Sequence, residues 1–264
     1  MRLINIYTQS QGFKPNICAF LLYFVASAIS FSLLGTVVHA EKPRYVHGVE
    51  SIVHSHQYIR EHAATIYWKV SPYYISQRNG SSCSLATSTM IVNAARSNKQ
   101  LVANEQLATQ NGLLTRVKNK EWSDNVKDDG NGVTLDQLHA YLPKAMEAYG
   151  LHNFTLELVH TKNSSKENQT KLHNALVESE KTGQTFIIVN FNQQFISGTE
   201  SVGHFAPIGA YDSQSKRVLI MDPDRELFEP YWMPEKLLLE SMATQDDTTK
   251  VYRGYLLVKM RHQN

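Results

Sequence analysis

The segment from His204 to Asp222, HFAPIGAYDSQSKRVLIMD, constrains the fold more than any other stretch. Two apolar, alternating runs flank the polar tetrapeptide Asp212-Ser213-Gln214-Ser215, which is the pattern of a β-hairpin. Opposed residues of an antiparallel hairpin have position numbers of constant sum, and the midpoint between His204 and Asp222 falls at residue 213, inside the turn. The two side chains are therefore expected across from one another, or nearly so, on neighbouring strands. Residues 185–191 (TFIIVNF) read as a buried strand, and 153–160 (NFTLELVH) alternate as a strand should. With helical patterns early and strands late, the class is α+β.

The early helical signal is clearest behind Cys83. Polar, turn-forming residues from Arg78 to Ser82 run into this cysteine, and Leu85, Ala86, Met90, Ile91 and Val92 then suit an apolar helix ending near Ala95. Another helical hint lies at 104–111. Thr134 with Gln137 three residues on forms a capping-box signature for a helix whose apolar face is Leu135, Leu138, Leu142 and Met146, with Pro143 as a possible break. Residues 171–182 also read as a helix. The aromatic, β-prone stretch 66–76, interrupted by Pro72, reads as a short strand and turn. Residues 117–133 read as a solvated loop, because Asp124, Asp128 and Asp129 lack the spacing of a calcium loop.

Residues 1–40 contain no Asp or Glu, carry Arg2 and Lys14, and include a mostly apolar run over 17–38. They end Val38-His39-Ala40, with small residues where a signal peptidase would require them. An export signal is expected, giving a periplasmic or secreted protein. Left uncleaved, the run would be just long enough to anchor the chain in a bilayer. Four sequons occur, and the one at Asn79 would place a glycan beside Cys83, which favours bacterial export over the endoplasmic reticulum. Residues 41–65 carry His47, His54, His56 and His62 among polar residues and read as a solvated arm. No metal-ligand pattern completes there. The catalytic domain is expected over 66–264. The 26 Lys+Arg and 24 Asp+Glu come into balance once Arg2 and Lys14 are removed, so no basic stripe points to nucleic acid.

Cys83 would be the sole cysteine after removal of the signal. At the junction of a polar turn and a helix, the macrodipole and unpaired N–H groups favour a thiolate. A lone cysteine is more often a small core residue, and His204 or Asp222 alone would also have ordinary structural explanations. Together they have a use: the imidazole takes the thiol proton, and the acid fixes the histidine tautomer and stabilises its cation. Gln77, six residues before Cys83, has an amide suited to the oxyanion, with the Cys83 backbone N–H as second donor.

Gln77-x5-Cys83, Val189-Asn190, Gly203-His204-Phe205-x-Pro207-Ile208-Gly209-x-Tyr211 and Asp222-x-x-Arg225 resemble phytochelatin synthase. So do Trp232-x-Pro234, Leu237-Leu238 and the run from Asp246-x-Thr248-Thr249 to Arg253-Gly254-Tyr255, while Gly132 to Leu138 is similar to bacterial members. The resemblance covers roughly Ser71 to Val258. It implies a papain-like fold, with a helical lobe carrying Cys83 and an antiparallel sheet lobe carrying His204 and Asp222. It further implies attack on the Cys–Gly bond of glutathione and a γ-glutamylcysteinyl thioester, released by water or passed to a second glutathione. On the same resemblance, Asp246 and Arg253 hold the γ-glutamyl head, Arg225 serves the acceptor side and Asn190 lies beside the donor pocket.

No cofactor is implied as required; cadmium or zinc would act through metal–glutathione thiolates, and a homodimer is compatible with the family. Ser84 stands where the family usually has glycine, adding a side chain at the pocket floor, and Phe228 replaces a tyrosine of the plant members. The chain stops soon after Arg253-Gly254-Tyr255, without the cysteine-rich C-terminal half of plant enzymes, which makes hydrolysis the first expectation and transfer the second. Two other readings fit the residues: a papain-like peptidase related to double-glycine leader peptidases, and a non-catalytic metal-binding protein using the N-terminal histidines.

Overall fold

A computed structural model describes residues 42–97 and 99–261. The chain enters through strand β1 (Glu50–Ser51), helices α1 (Gln57–Glu61) and α2 (Thr65–Val70), and a 3-10 turn over Ser71–Tyr73. Helices α3 (Cys83–Ala95), α4 (Gln110–Val117), α5 (Lys120–Asn125) and α6 (Leu135–Ala148) follow. Strand β2 (Phe154–His160), helix α7 (Lys166–Thr182), strand β3 (Thr185–Asn192) and the short α8 (Gln194–Ser197) lead to the hairpin of β4 (Gly203–Asp212) and β5 (Arg217–Ile220). Strand β6 (Tyr231–Pro234), helix α9 (Glu235–Met242) and strand β7 (Gly254–Met260) complete the order. The strands form a sheet of order β1-β6-β5-β4-β3-β7-β2, antiparallel at every pairing.

The sheet is covered on both faces, which explains why β3 is buried throughout and why its run Phe186–Val189 is apolar instead of alternating. Phe186 and Ile188 join the core beneath α3 and α6, whereas Ile187, Val189 and Phe191 pack with Leu172 and Leu176 of α7 and with Leu238, Leu239 and Met242 of α9. All thirteen residues of α3 are buried, so this helix shows almost no amphipathic face. Some of its buried polar residues are tied to backbone: Thr89 donates to the Leu85 carbonyl (2.8 Å), and Asn93 exchanges hydrogen bonds with the backbone of Ala108. Thr87 Oγ1 donates to the Phe205 carbonyl (3.1 Å), fixing α3 against β4 one residue from His204.

The hairpin forms where the sequence places it, but its register differs. Ile208 faces Ile220, whereas Ala210 faces Leu219, so a bulge falls at Gly209. A Cβ at Gly209 would lie 2.8 Å from Met221 Cγ, a close approach that favours glycine. Continuing the register below the bulge puts Asp222 opposite Ala206, with His204 as its diagonal neighbour. A shift of two residues preserves the face, so the pair still meets.

Other expectations need correction. Residues 66–76 form helix α2 and a 3-10 turn rather than a strand: Ile66 and Val70 are buried together on one helical face, and Pro72 sits at the start of the 3-10 turn, where a missing N–H is tolerated. The stretch 117–133 is not simply a loop. It contains α5, capped by the Asn119 side chain, and buries Trp122 completely against Tyr141 (centroids 5.4 Å apart). The helix expected at 104–111 begins only at Gln110. Pro143 lies inside α6 without ending it, since Leu142, Ala145 and Met146 hold that turn in the core. The helix read over 171–182 starts earlier, at Lys166.

Residues 42–65, expected as a solvated arm, belong to the folded body. Val49, Ile59 and Ala64 are buried, and β1 adds to the edge of β6 with Glu50 facing Trp232. Backbone pairing and three apolar anchors outweigh the polar composition that pointed to solvent. Residues 1–40, with the expected export signal and its 17–38 run, lie outside the described residues. Among the described residues no helix is long and apolar enough to cross a membrane.

Candidate active site

Cys83 is the first residue of α3, and it is buried. The preceding turn is built by Ser82, whose Oγ accepts from the backbone N–H groups of Arg78 (2.9 Å) and Asn79 (3.0 Å). The Ser82 side chain places no cap on the first turn of α3, so the N–H groups around Cys83 stay free of that competitor. Asn79 Nδ2 donates to the Val126 carbonyl (3.2 Å), and Ser81 donates to the Gly130 carbonyl. These bonds fasten the cysteine turn to the segment after α5.

His204, near the start of β4, is buried with its ring edge-on to Phe191 (5.6 Å). Its Nε2 donates to Asp222 Oδ1 at 2.7 Å, which leaves Nδ1 as the nitrogen available to the thiol. Burial alone would disfavour the imidazolium, but the carboxylate of Asp222, reinforced by Cys83, holds its pKa well above the ordinary histidine range. Asp222 has no solvent exposure. Its Oδ1 also accepts from the Asp224 N–H (2.8 Å), its Oδ2 from the Tyr231 hydroxyl (2.9 Å), and its carbonyl from the Tyr74 hydroxyl (2.6 Å). The cysteine, histidine and acid read from the sequence are thus brought together.

Gln77 is joined to the acid's segment, its backbone N–H donating to the Pro223 carbonyl (2.8 Å). Among the described residues its enclosed Oε1 has no hydrogen-bond partner.

Cys83 opens on a cleft of about 280 Å³ also lined by Ser81, Asn190, Ser201, Asp246, Asp247 and Arg253. Asn190 is held by its amide on the His204 carbonyl (3.2 Å). Arg253 is almost fully buried; its guanidinium donates to Thr244 Oγ1 (3.1 Å) and to the Gln245 carbonyl, while Nε has no partner among the described residues. Asp246 is anchored by its own turn, Oδ1 accepting from the N–H groups of Thr248 (3.1 Å) and Thr249 (2.8 Å) and from Thr249 Oγ1 (3.0 Å). An added Cβ at Gly254 would collide with the Val159 carbonyl oxygen, so the residue after Arg253 must be glycine for β7 to approach β2.

Arg225 is not brought to this cleft. Its guanidinium stacks 4.7 Å above the Tyr74 ring and lines a separate hollow with Arg44, Val53, Leu227 and Phe228. Ser84, expected at the pocket floor, is wholly buried and absent from the cleft wall. Sequence reasoning missed Tyr231, Tyr74, Asp247 and Ser201. The adjacent acids at 246 and 247 offered a signal for Asp247; the tyrosines offered none, since their role depends on folding. Among the described residues no three His, Cys, Asp or Glu side chains converge as a metal site.

The family model of phytochelatin synthase matches residues 50–255. The chain belongs to the phytochelatin synthase family. Among curated phytochelatin synthase relatives, glutathione gamma-glutamylcysteinyltransferase 3 of Lotus japonicus is 24% identical over 200 residues, covering 73% of this chain and 37% of that protein. Glutathione gamma-glutamylcysteinyltransferase 1 of Arabidopsis thaliana is 41% identical over 61 residues, 23% of this chain and 13% of its own length. The Schizosaccharomyces pombe glutathione gamma-glutamylcysteinyltransferase is 34% identical over 67 residues, 25% and 16% of the two chains. The chain therefore spans well under half the length of these phytochelatin synthase relatives.

Proposed function

We propose that this chain is a papain-like, cysteine-nucleophile enzyme that cleaves the Cys–Gly bond of glutathione. The observation that carries the reading is the buried His204–Asp222 pair set beside Cys83, at the mouth of a cleft containing one buried arginine and two acids. Helix α3 bearing the cysteine against a sheet bearing the histidine and acid is the arrangement a papain-like enzyme requires.

In this mechanism His204 Nδ1 takes the Cys83 thiol proton and the thiolate attacks the Cys–Gly carbonyl carbon. The carbonyl electron pair moves onto oxygen, where the Cys83 N–H and the Gln77 amide receive it. Collapse of the tetrahedral intermediate breaks the C–N bond, and glycine's amine leaves with the proton held on His204. The remaining γ-glutamylcysteinyl thioester is released by water, with the amine of a second glutathione as the alternative acceptor. Arg253 meets the γ-glutamyl carboxylate and Asp246 its ammonium, opposite charges matched to a zwitterionic head. Asn190 borders the donor pocket, and Arg225, in its separate hollow, serves the acceptor. Cadmium or zinc enters with the substrate as a glutathione thiolate complex, and the protein works after export.

Mass spectrometry of products from the full chain and reduced glutathione, with and without cadmium, tests the reading. Glycine and γ-glutamylcysteine are expected, both lost in Cys83→Ser, and longer γ-glutamylcysteine oligomers would add the transfer reaction. Intact glutathione after incubation with the reduced wild-type protein would overturn the proposal.

A further inference from the structure

The acid of the proposed triad is held by a side chain that the reaction does not otherwise use. Tyr231 is fully buried on β6, in register with Ile220 of β5 and Ser51 of β1. Its hydroxyl donates to Asp222 Oδ2 at 2.9 Å, while Oδ1 is occupied by His204 Nε2 (2.7 Å) and the Asp224 N–H (2.8 Å). The carboxylate is thus fixed at both oxygens. The Tyr231 ring is wedged against Tyr45 (centroids 5.6 Å apart) and Phe228 (5.9 Å), which prevents the phenol from swinging away.

The geometry points to Tyr231 as a positioning residue that sets how strongly Asp222 holds the His204 proton. This rests on the reading of Cys83, His204 and Asp222 as catalytic. A phenol donating to a carboxylate engages part of its charge. His204 must first take a proton from Cys83 and then give it to the departing glycine amine, so an acid that binds the imidazolium too tightly slows the second transfer. The Tyr231 phenol stays protonated, because burial and the adjacent Asp222 push its pKa well above the ordinary value. Other titratable groups around the pair are Cys83, Tyr45, Tyr74 and Asp224, with Glu229 behind Tyr45 and Arg225 over Tyr74. Of the tyrosines, Tyr231 bonds the carboxylate, whereas Tyr74 bonds the backbone carbonyl of Asp222 and Tyr45 bonds Glu229.

Tyr231→Phe removes the hydroxyl and keeps the ring, and Tyr45→Phe removes a neighbouring phenol that does not touch Asp222. Two measurements on the full chain apply. The first is kcat and KM for glycine release from glutathione across pH. The second is alkylation of Cys83 by iodoacetamide across pH, followed by the mass of the Cys83 peptide, which requires no turnover. Tyr231→Phe is expected to lower kcat about tenfold with KM within about twofold, since one hydrogen bond to a charged group is lost. The alkaline limb of Cys83 alkylation, where the imidazolium loses its proton, should move up by about one pH unit, because a less engaged carboxylate favours the cation. Tyr45→Phe should leave that limb in place. An unmoved or lowered limb in Tyr231→Phe, even with reduced kcat, would overturn the proposal and leave Tyr231 a packing residue. Failure of the wild-type protein to release glycine would instead count against the glutathione reading, and the alkylation limb would still decide the role of Tyr231.

Discussion

Asp246 shows how one residue can serve the loop and the cleft at once. Burial would raise its carboxyl pKa, but the hydrogen bonds from Thr249 and Thr248, with Arg253 nearby, hold it below the usual aspartate value. A depressed folded value means that the charged carboxylate contributes stability above the unfolded pKa of about 3.9, and that this contribution disappears as the pH falls through the lower folded value. The turn at 246–249 should therefore loosen on acidification below about pH 4. Amide exchange of Thr248 and Thr249 checks this: their protection should fall with pH, and Asp246→Asn should weaken it already at neutral pH. The Oδ1 of Asp246 is committed to the turn, whereas among the described residues no hydrogen bond engages its Oδ2, the oxygen left for a ligand's ammonium under the proposed reading. Asp247, whose Oδ2 accepts from Ser201 across the cleft (3.2 Å), ties the same turn to the segment before β4.

At the level of elements, local chemistry was legible where it was self-contained. The Thr134–Gln137 capping box is formed as read, Thr134 N–H donating to Gln137 Oε1 (2.8 Å) and Gln137 N–H to Thr134 Oγ1 (3.2 Å). Thr134→Ala should destabilise the protein by about 1 kcal/mol, seen as a lower urea midpoint with an unchanged slope. The hairpin was legible from its turn, but the bulge at Gly209 was not, because a bulge answers to the packing of Met221 and Leu219 behind it. Helix α2 and helix α5 were misread for a related reason. Tyr67, Trp68 and Tyr73 have strand propensity, yet Ile66 and Val70 find their partners only in helical spacing against the sheet. Trp122 was hidden among charged neighbours that face solvent while it fills the core.

For the molecule as a whole, the cysteine, histidine and acid were readable because each has distinctive chemistry. Tyr231 and Tyr74 were not, because a tyrosine becomes part of a carboxylate's environment only when β6 and the 3-10 turn have been folded around it. The segment 42–51 is the clearest case of tertiary context overriding composition. Deleting it would bare the edge of β6 and remove Tyr45 from Tyr231. The shortened protein should melt at lower temperature and scatter light on heating, as unpaired edges do; an unchanged melting curve would contradict that role. The sheet order carries a consequence for biosynthesis. Among the described residues β1 finds its neighbour in β6, and β2 finds its neighbour in β7. Neither strand can mate until the segment carrying its distant partner has left the ribosome, so this part of the nascent polypeptide stays threadable until then.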